Sequence, residues 1–176
     1  MITKTPFAGL IAAALILSGC GNSQHVSAPK VARCVDSSPE PVGGVGLKSA
    51  VLKEANDGVE VTWATTKPMP RRGTILYSIS VYSMDGNVAK QLGVGYQDGV
   101  QNDFYAFDSG EAKQTNFDGT AEVVGPKVRV VFPKEAFDHV GEPFHWDAGY
   151  SFGSNDDICP DGAQDIQHPE QMTFPG

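Results

Sequence analysis

His145 and Asp147 stand two residues apart in a stretch, Phe144 to Phe152, whose alternating hydropathy reads as a β-strand. Successive side chains on a strand point to opposite faces, so this imidazole and carboxylate project from the same one. Such a pair supplies two ligands to a metal, whereas a metal site takes three or four, and a solvated pair on a sheet face meets the same spacing. Asp156, Asp157, Asp161 and Asp165 cluster around Cys159. Loop carboxylates suit Ca²⁺, a hard cation that takes oxygen ligands, but the spacing is not that of a regular calcium loop, and no metal is expected. Glu135 with Asp138, and Glu142 with Asp147, are carboxylate pairs of the kind glycoside hydrolysis uses at about 5–9.5 Å across a cleft, a separation that no spacing in the chain sets. No Gly-x-Ser-x-Gly nucleophile elbow is present. Gly93-Val94-Gly95 lies inside a strand pattern with no helix after it. A phosphate-binding turn is therefore excluded, and the glycines are expected to mark a bulge or a close crossing. No enzymatic activity and no cofactor are expected.

Lys4 is followed by an apolar run from Phe7 to Leu17. The run is too short to span a bilayer as a helix and has the length of a signal-peptide core. It closes on Leu17-Ser18-Gly19-Cys20, which resembles the lipobox of bacterial lipoproteins. The resemblance implies a signal peptide over 1–19, cleavage before Cys20, diacylglycerol on the Cys20 sulfur, and a further acyl group such as palmitate on the new amino terminus. The protein is then exported and held to a bacterial membrane by lipid.

The formal net charge is −8, and loss of Lys4 with the leader makes it one unit more negative. A chain this acidic does not track a nucleic-acid backbone, which needs clustered Lys and Arg, and it is repelled by anionic head groups. Membrane residence must then come from acyl chains, of which two or more hold stably. Cys34 and Cys159 remain as an even pair in an exported chain, which points to a disulfide joining the start of the folded domain to its end.

Those residues need elements to position them. With 20 Gly, 12 Pro and no long helix-forming run, the chain favours short strands joined by turns. Residues 20–33 read as the lipidated cysteine and an aperiodic tether, 34–163 as one domain, and 164–176 as a loose tail. Val59, Val61 and Trp63 share a strand face. Over Thr74 to Ser83, Ile75, Tyr77, Ile79 and Val81 share one face, and Ser78, Ser80 and Tyr82 the other. Met84-Asp85-Gly86-Asn87 reads as a hairpin turn into a return strand from Val88 to Gln97. A short strand around Phe104 to Phe107 precedes a polar loop from Asp108 to Gly119. Strands follow at Thr120 to Val124 and Lys127 to Phe132, then one short helical turn near 133–138, where Pro133 suits a first turn. The last strong strand has Phe144, Trp146, Ala148, Tyr150 and Phe152 facing inward and His145, Asp147, Gly149 and Ser151 facing outward. About seven to nine strands at this spacing predict an all-β, antiparallel, immunoglobulin-like β-sandwich.

In the second half, Val128-Arg129-Val130-Val131-Phe132-Pro133 leads to a turn ending at Phe137. Phe144-His145-Trp146 follows, and then Asp156-Asp157-Ile158-Cys159-Pro160. This order resembles the sandwiches of the DOMON and family 9 carbohydrate-binding-module group over about Val45 to Pro160. The resemblance implies a domain that binds a sugar or a haem without catalysis. Its surface aromatic clamp does not carry over to Trp63 and Trp146, which lie on core faces. For haem, Met69, Met84, His139 and His145 are the residue types that ligate iron, with no context that sets them apart. The binding reading therefore expects an exposed aromatic or polar groove around Tyr96 to Tyr105, with Tyr82, Tyr96, Phe104, Tyr105 and Phe107 as ligand-binding residues. The ligand is an envelope glycan or another small molecule. A structural or protein-partner lipoprotein would instead present a flat apolar patch and no pocket.

Overall fold

The computed structural model describes residues 28–161 and 172–176. The leader, Cys20 and Asp165 lie outside them. The strands in chain order are β1 (Val31–Val35), β2 (Leu47–Ala55), β3 (Gly58–Thr65), β4 (Thr74–Ser83), β5 (Ala89–Gln97), β6 (Val100–Asp108), β7 (Lys113–Asn116), β8 (Glu122–Val124), β9 (Lys127–Pro133), β10 (Phe144–Phe152), β11 (Asn155–Cys159) and β12 (Met172–Phe174). A 3-10 turn over Lys134–Phe137 follows β9, entered from Pro133. Among the described residues no helix is long and apolar enough to cross a membrane.

All pairings are antiparallel, and the strands form two sheets. One sheet has the order β1-β2-β3-β9-β8. The other runs β11-β10-β4-β5-β6-β7, with β12 also paired to β10. Alternation alone assigns the inner faces. Val59, Val61 and Trp63 of β3 and Val128, Val130 and Phe132 of β9 meet Ile75, Tyr77, Ile79 and Val81 of β4 and Phe144, Trp146, Ala148 and Tyr150 of β10, all buried. The Trp63 ring packs against Tyr77 and Phe132 at centroid separations of 5.9 and 6.3 Å. Its Nε1 donates to the Ser78 carbonyl of the opposite sheet at 2.9 Å, so this buried indole also satisfies its polar atom.

The expected all-β antiparallel sandwich, its helical turn and the Cys34–Cys159 disulfide are present. There are more strands than the about seven to nine expected from turn spacing, and each extra one has a specific cause. β1 begins at Val31, inside the stretch expected as tether, because Ala32 and Cys34 alternate inward against β2. β7 occupies the middle of the expected polar loop. Its four residues are all exposed and are held by pairing with β6 rather than by burial. β11 and β12 lie end to end along one edge of β10. β12 also corrects the expected loose tail over 164–176: Phe174 is fully buried and stacks on Phe144 with centroids 5.0 Å apart.

The disulfide joins β1, at the edge of one sheet, to β11, at the edge of the other, with Cα atoms 6.0 Å apart and 125 residues between them in sequence. Both sulfurs belong to buried residues. Closing a loop that long contributes about 4–5 kcal/mol on a chain-entropy account.

Candidate functional site

The outer face of the larger sheet is built from rows of side chains that register aligns across strands. One row runs Asp147, Ser80, Gln91, Phe107; the next runs Ile158, Gly149, Ser78, Gly93, Tyr105; a third runs Asp156, Ser151, Leu76, Gly95, Asp103. The glycines set the depth of this face. A Cβ on residue 93 would stand 2.8 Å from the Tyr105 ring and 2.9 Å from Leu76 Cδ1, and one on residue 149 would stand 2.8 Å from Ser78 Oγ. With no side chain there, the floor sinks, and Tyr105 lies across the backbone of residue 93. The result is a groove of about 220 Å³ whose lining includes Ser78, Ser80, Tyr82, Gln91, Asp147 and Ser151. That is smaller than the roughly 300–1,000 Å³ typical for drug-sized ligands, and it suits one ring or one residue of a longer chain.

Asp147 is the pivot of the groove. It is only 7% exposed although it points outward, because Ser80, Tyr82 and the β10 backbone close around it. Tyr82 Oη donates to Asp147 Oδ2 at 3.2 Å. Burial pushes the Asp147 carboxyl up to about 6, against the opposing pull of the Ser80 and Tyr82 hydroxyls. The Tyr82 phenol is raised in turn, first by burial and then by the Asp147 charge. Burial also raises Tyr105, whose Oη donates to Gln91 Oε1 at 3.0 Å. The site thus offers hydroxyls and an amide around one buried carboxylate, on strands rather than loops.

The five aromatics expected to bind ligand divide between two faces. Tyr82, Tyr105 and Phe107 are half-buried on the outer face, where Tyr82 lines the groove and Tyr105 flanks it. Tyr96 and Phe104 belong to the core, which corrects their placement in a surface groove. A bulge between Gly95 and Tyr96 shifts the register with β6, and Phe104 pairs with Val94, so both rings face inward. The groove therefore lies one strand over from the Tyr96 to Tyr105 loop, on β4, β5 and β10. Ser78, Ser80, Gly149 and Ser151 were visible on outward faces in the alternation, but nothing local showed that β4 and β10 are neighbours.

His145 shares the outer face with Asp147, and its Nδ1 lies 3.3 Å from Thr173 Oγ1 of β12. Asp157 points inward beside Tyr150 and accepts the Leu47 N–H at 2.5 Å, while Asp156 is exposed at the groove rim. The acidic stretch is thus divided between two faces. Glu142 is paired with Lys30 at 2.5 Å, away from Asp147, whereas Glu135 and Asp138 share a depression of about 280 Å³ with Lys90 and His139. Met69 precedes β4 and Met84 follows it at the end where Tyr82 pairs with His145, so the ten residues of that strand separate the two methionines along the chain. Among the described residues no group of three or more His, Cys, Asp or Glu side chains is placed to hold a metal. Wider depressions of about 660 and 840 Å³ lie at loops near Pro29 and Glu40. No protein-family model, curated protein or solved structure matches the chain.

Proposed function

We propose that this chain is an exported lipoprotein, anchored to a bacterial membrane through Cys20, whose sandwich is a non-catalytic binding module for a small hydroxyl-bearing ligand such as a residue of an envelope glycan. The observation that carries the reading is the Asp147 groove. A buried carboxylate ringed by hydroxyls and an amide, with Tyr82 and Tyr105 beside it, offers alternating donors and acceptors next to flat apolar surface. Sugars present the same combination of hydroxyls and C–H faces. The groove lies on paired strands, which hold such groups in place without ligand.

A second reading, a lipoprotein that docks a protein partner, draws on a different surface. Val31, Val35 and Val131 are 51%, 62% and 42% exposed on the outer face of the smaller sheet. They stand among Arg33, Lys53, Glu60 and Arg129, a mixture of apolar and charged groups of the kind protein interfaces use.

Thermal shifts of the oxidised chain from residue 20, carrying Cys20→Ser, decide between the two. A dose-dependent rise with envelope polysaccharides that Tyr82→Ala removes supports the groove, since a ligand stabilises the state it binds. No rise with any of them, together with capture of a partner that Val35→Asp abolishes, supports docking. Loss of membrane association and of palmitate labelling in full-length Cys20→Ala tests the anchor.

A further inference from the structure

The outer face of the larger sheet has an unbalanced charge. Its strand residues include three carboxylates, Asp103, Asp147 and Asp156, and no Lys or Arg. His145 is the one other titratable side chain there besides Tyr82 and Tyr105. The cations lie elsewhere. Arg33, Lys53, Lys127 and Arg129 are on the outer face of the smaller sheet, and Lys90 turns inward to Asp108 at 3.8 Å.

Asp147 has no ion-pair partner among the described residues, and the contact from Tyr82 at 3.2 Å is long for a hydrogen bond between oxygens. A carboxylate so buried is costly to hold ionised unless a cation or strong donors reach it. The opening beside it admits a small group; Tyr82 lines it, and Tyr105, whose hydroxyl donates to Gln91, stands at its edge.

We propose that the ligand of this groove carries a primary ammonium, which docks on Asp147 while its neighbouring hydroxyls meet Ser78, Ser80 and Gln91. This deepens the binding reading above and rests on it. An ammonium brings a full positive charge to a carboxylate that otherwise meets only neutral donors from Tyr82 and Ser80, whereas carboxylate, phosphate or sulfate groups are repelled by all three aspartates. Such a ligand comes from either an amino sugar within a glycan or a free polyamine.

The test is a titration of the ¹⁵N-labelled chain from residue 20, with Cys20→Ser and the disulfide intact, near pH 7, following the amides of Ser80, Gln91 and Gly149. The probes are methyl glucosaminide, methyl N-acetylglucosaminide, methyl glucoside and 1,4-diaminobutane. The glucosaminide is expected to move these resonances, with the acetylated and hydroxyl analogues weaker by about tenfold or more, the size of one lost charge-assisted hydrogen bond. Asp147→Asn, which keeps the side-chain shape, is expected to erase that preference. Diaminobutane binding as tightly as the glucosaminide assigns a polyamine; weaker binding assigns an amino sugar. Glucoside binding as tightly as the glucosaminide, or a preference that survives in Asp147→Asn, overturns the ammonium inference and leaves hydroxyl binding standing. If no probe moves the groove resonances up to about 20 mM, well above a millimolar affinity, both fall.

Discussion

Gly149 sits across the β10–β4 pairing from Ser78 so closely that a Cβ at 149 would stand 2.8 Å from the serine hydroxyl oxygen. The absent side chain is what gives the groove its floor. Gly149→Ala is expected to destabilise the fold by about 1 kcal/mol, and Ser78→Ala in the same chain to recover most of that. Urea denaturation of both single variants and the double variant measures the coupling. Strict additivity would mean that the contact does not shape the floor.

Asp147 sets a pH dependence whose sign follows from burial. Its unfolded value lies near 3.8 and its folded value near 6, so the unfolded chain releases the proton first as pH rises. Stability from this group is therefore full below about pH 4, falls between about 4 and 6, and levels off above. The loss is on the order of 3 kcal/mol. Asp147→Asn should remove that slope, leaving the variant at least as stable as the wild type at neutral pH and showing no gain at pH 4. Denaturation midpoints of the two proteins across this range check it, and a wild type that gains stability with pH relative to the variant refutes it.

Phe174 anchors the far end of the chain. It is fully buried against Phe144, and Phe174→Ala should cost about 3–5 kcal/mol, as for other buried Phe truncations. Thr173→Ala, one residue away on the outward face of the same strand, should change stability by less than about 0.5 kcal/mol. A small effect of both substitutions in chemical denaturation would make 172–176 the loose tail that its composition resembles.

Cys34 and Cys159 tie the two sheets at their edges. Replacing both by serine should lower stability by about 2–5 kcal/mol, and dithiothreitol should have a comparable effect on the native protein. The polar centre of the groove, Asp147, Ser80 and Gln91, lies on β10, β4 and β5, while β11, which carries Cys159, supplies only Asp156 and Ile158 at the rim, so ligand affinity of the folded double variant should fall by less than about threefold. Calorimetric melting with and without reductant measures the first effect, and titration of the variant measures the second.

Where alternation is strong, the chain alone settles the element and its buried face. β3, β4 and β10 could be read residue by residue, down to Trp63 and Trp146 in the core, because a strand's period of two needs no partner to be recognised. The even pair Cys34 and Cys159 likewise sufficed to predict the bridge. β7 could not be read, since four exposed polar residues carry no period and become a strand through the edge that β6 offers. β12 was hidden by its three-residue length; Phe174 is buried because β10 leaves an edge free beyond β11. The groove divides in the same way. That Ser80 and Asp147 each face outward follows from local alternation. That they stand side by side, with Gln91 next in the row, follows from which strands pair and in what register. Those pairings are long-range, and the tertiary structure decides them through the packing of the whole core.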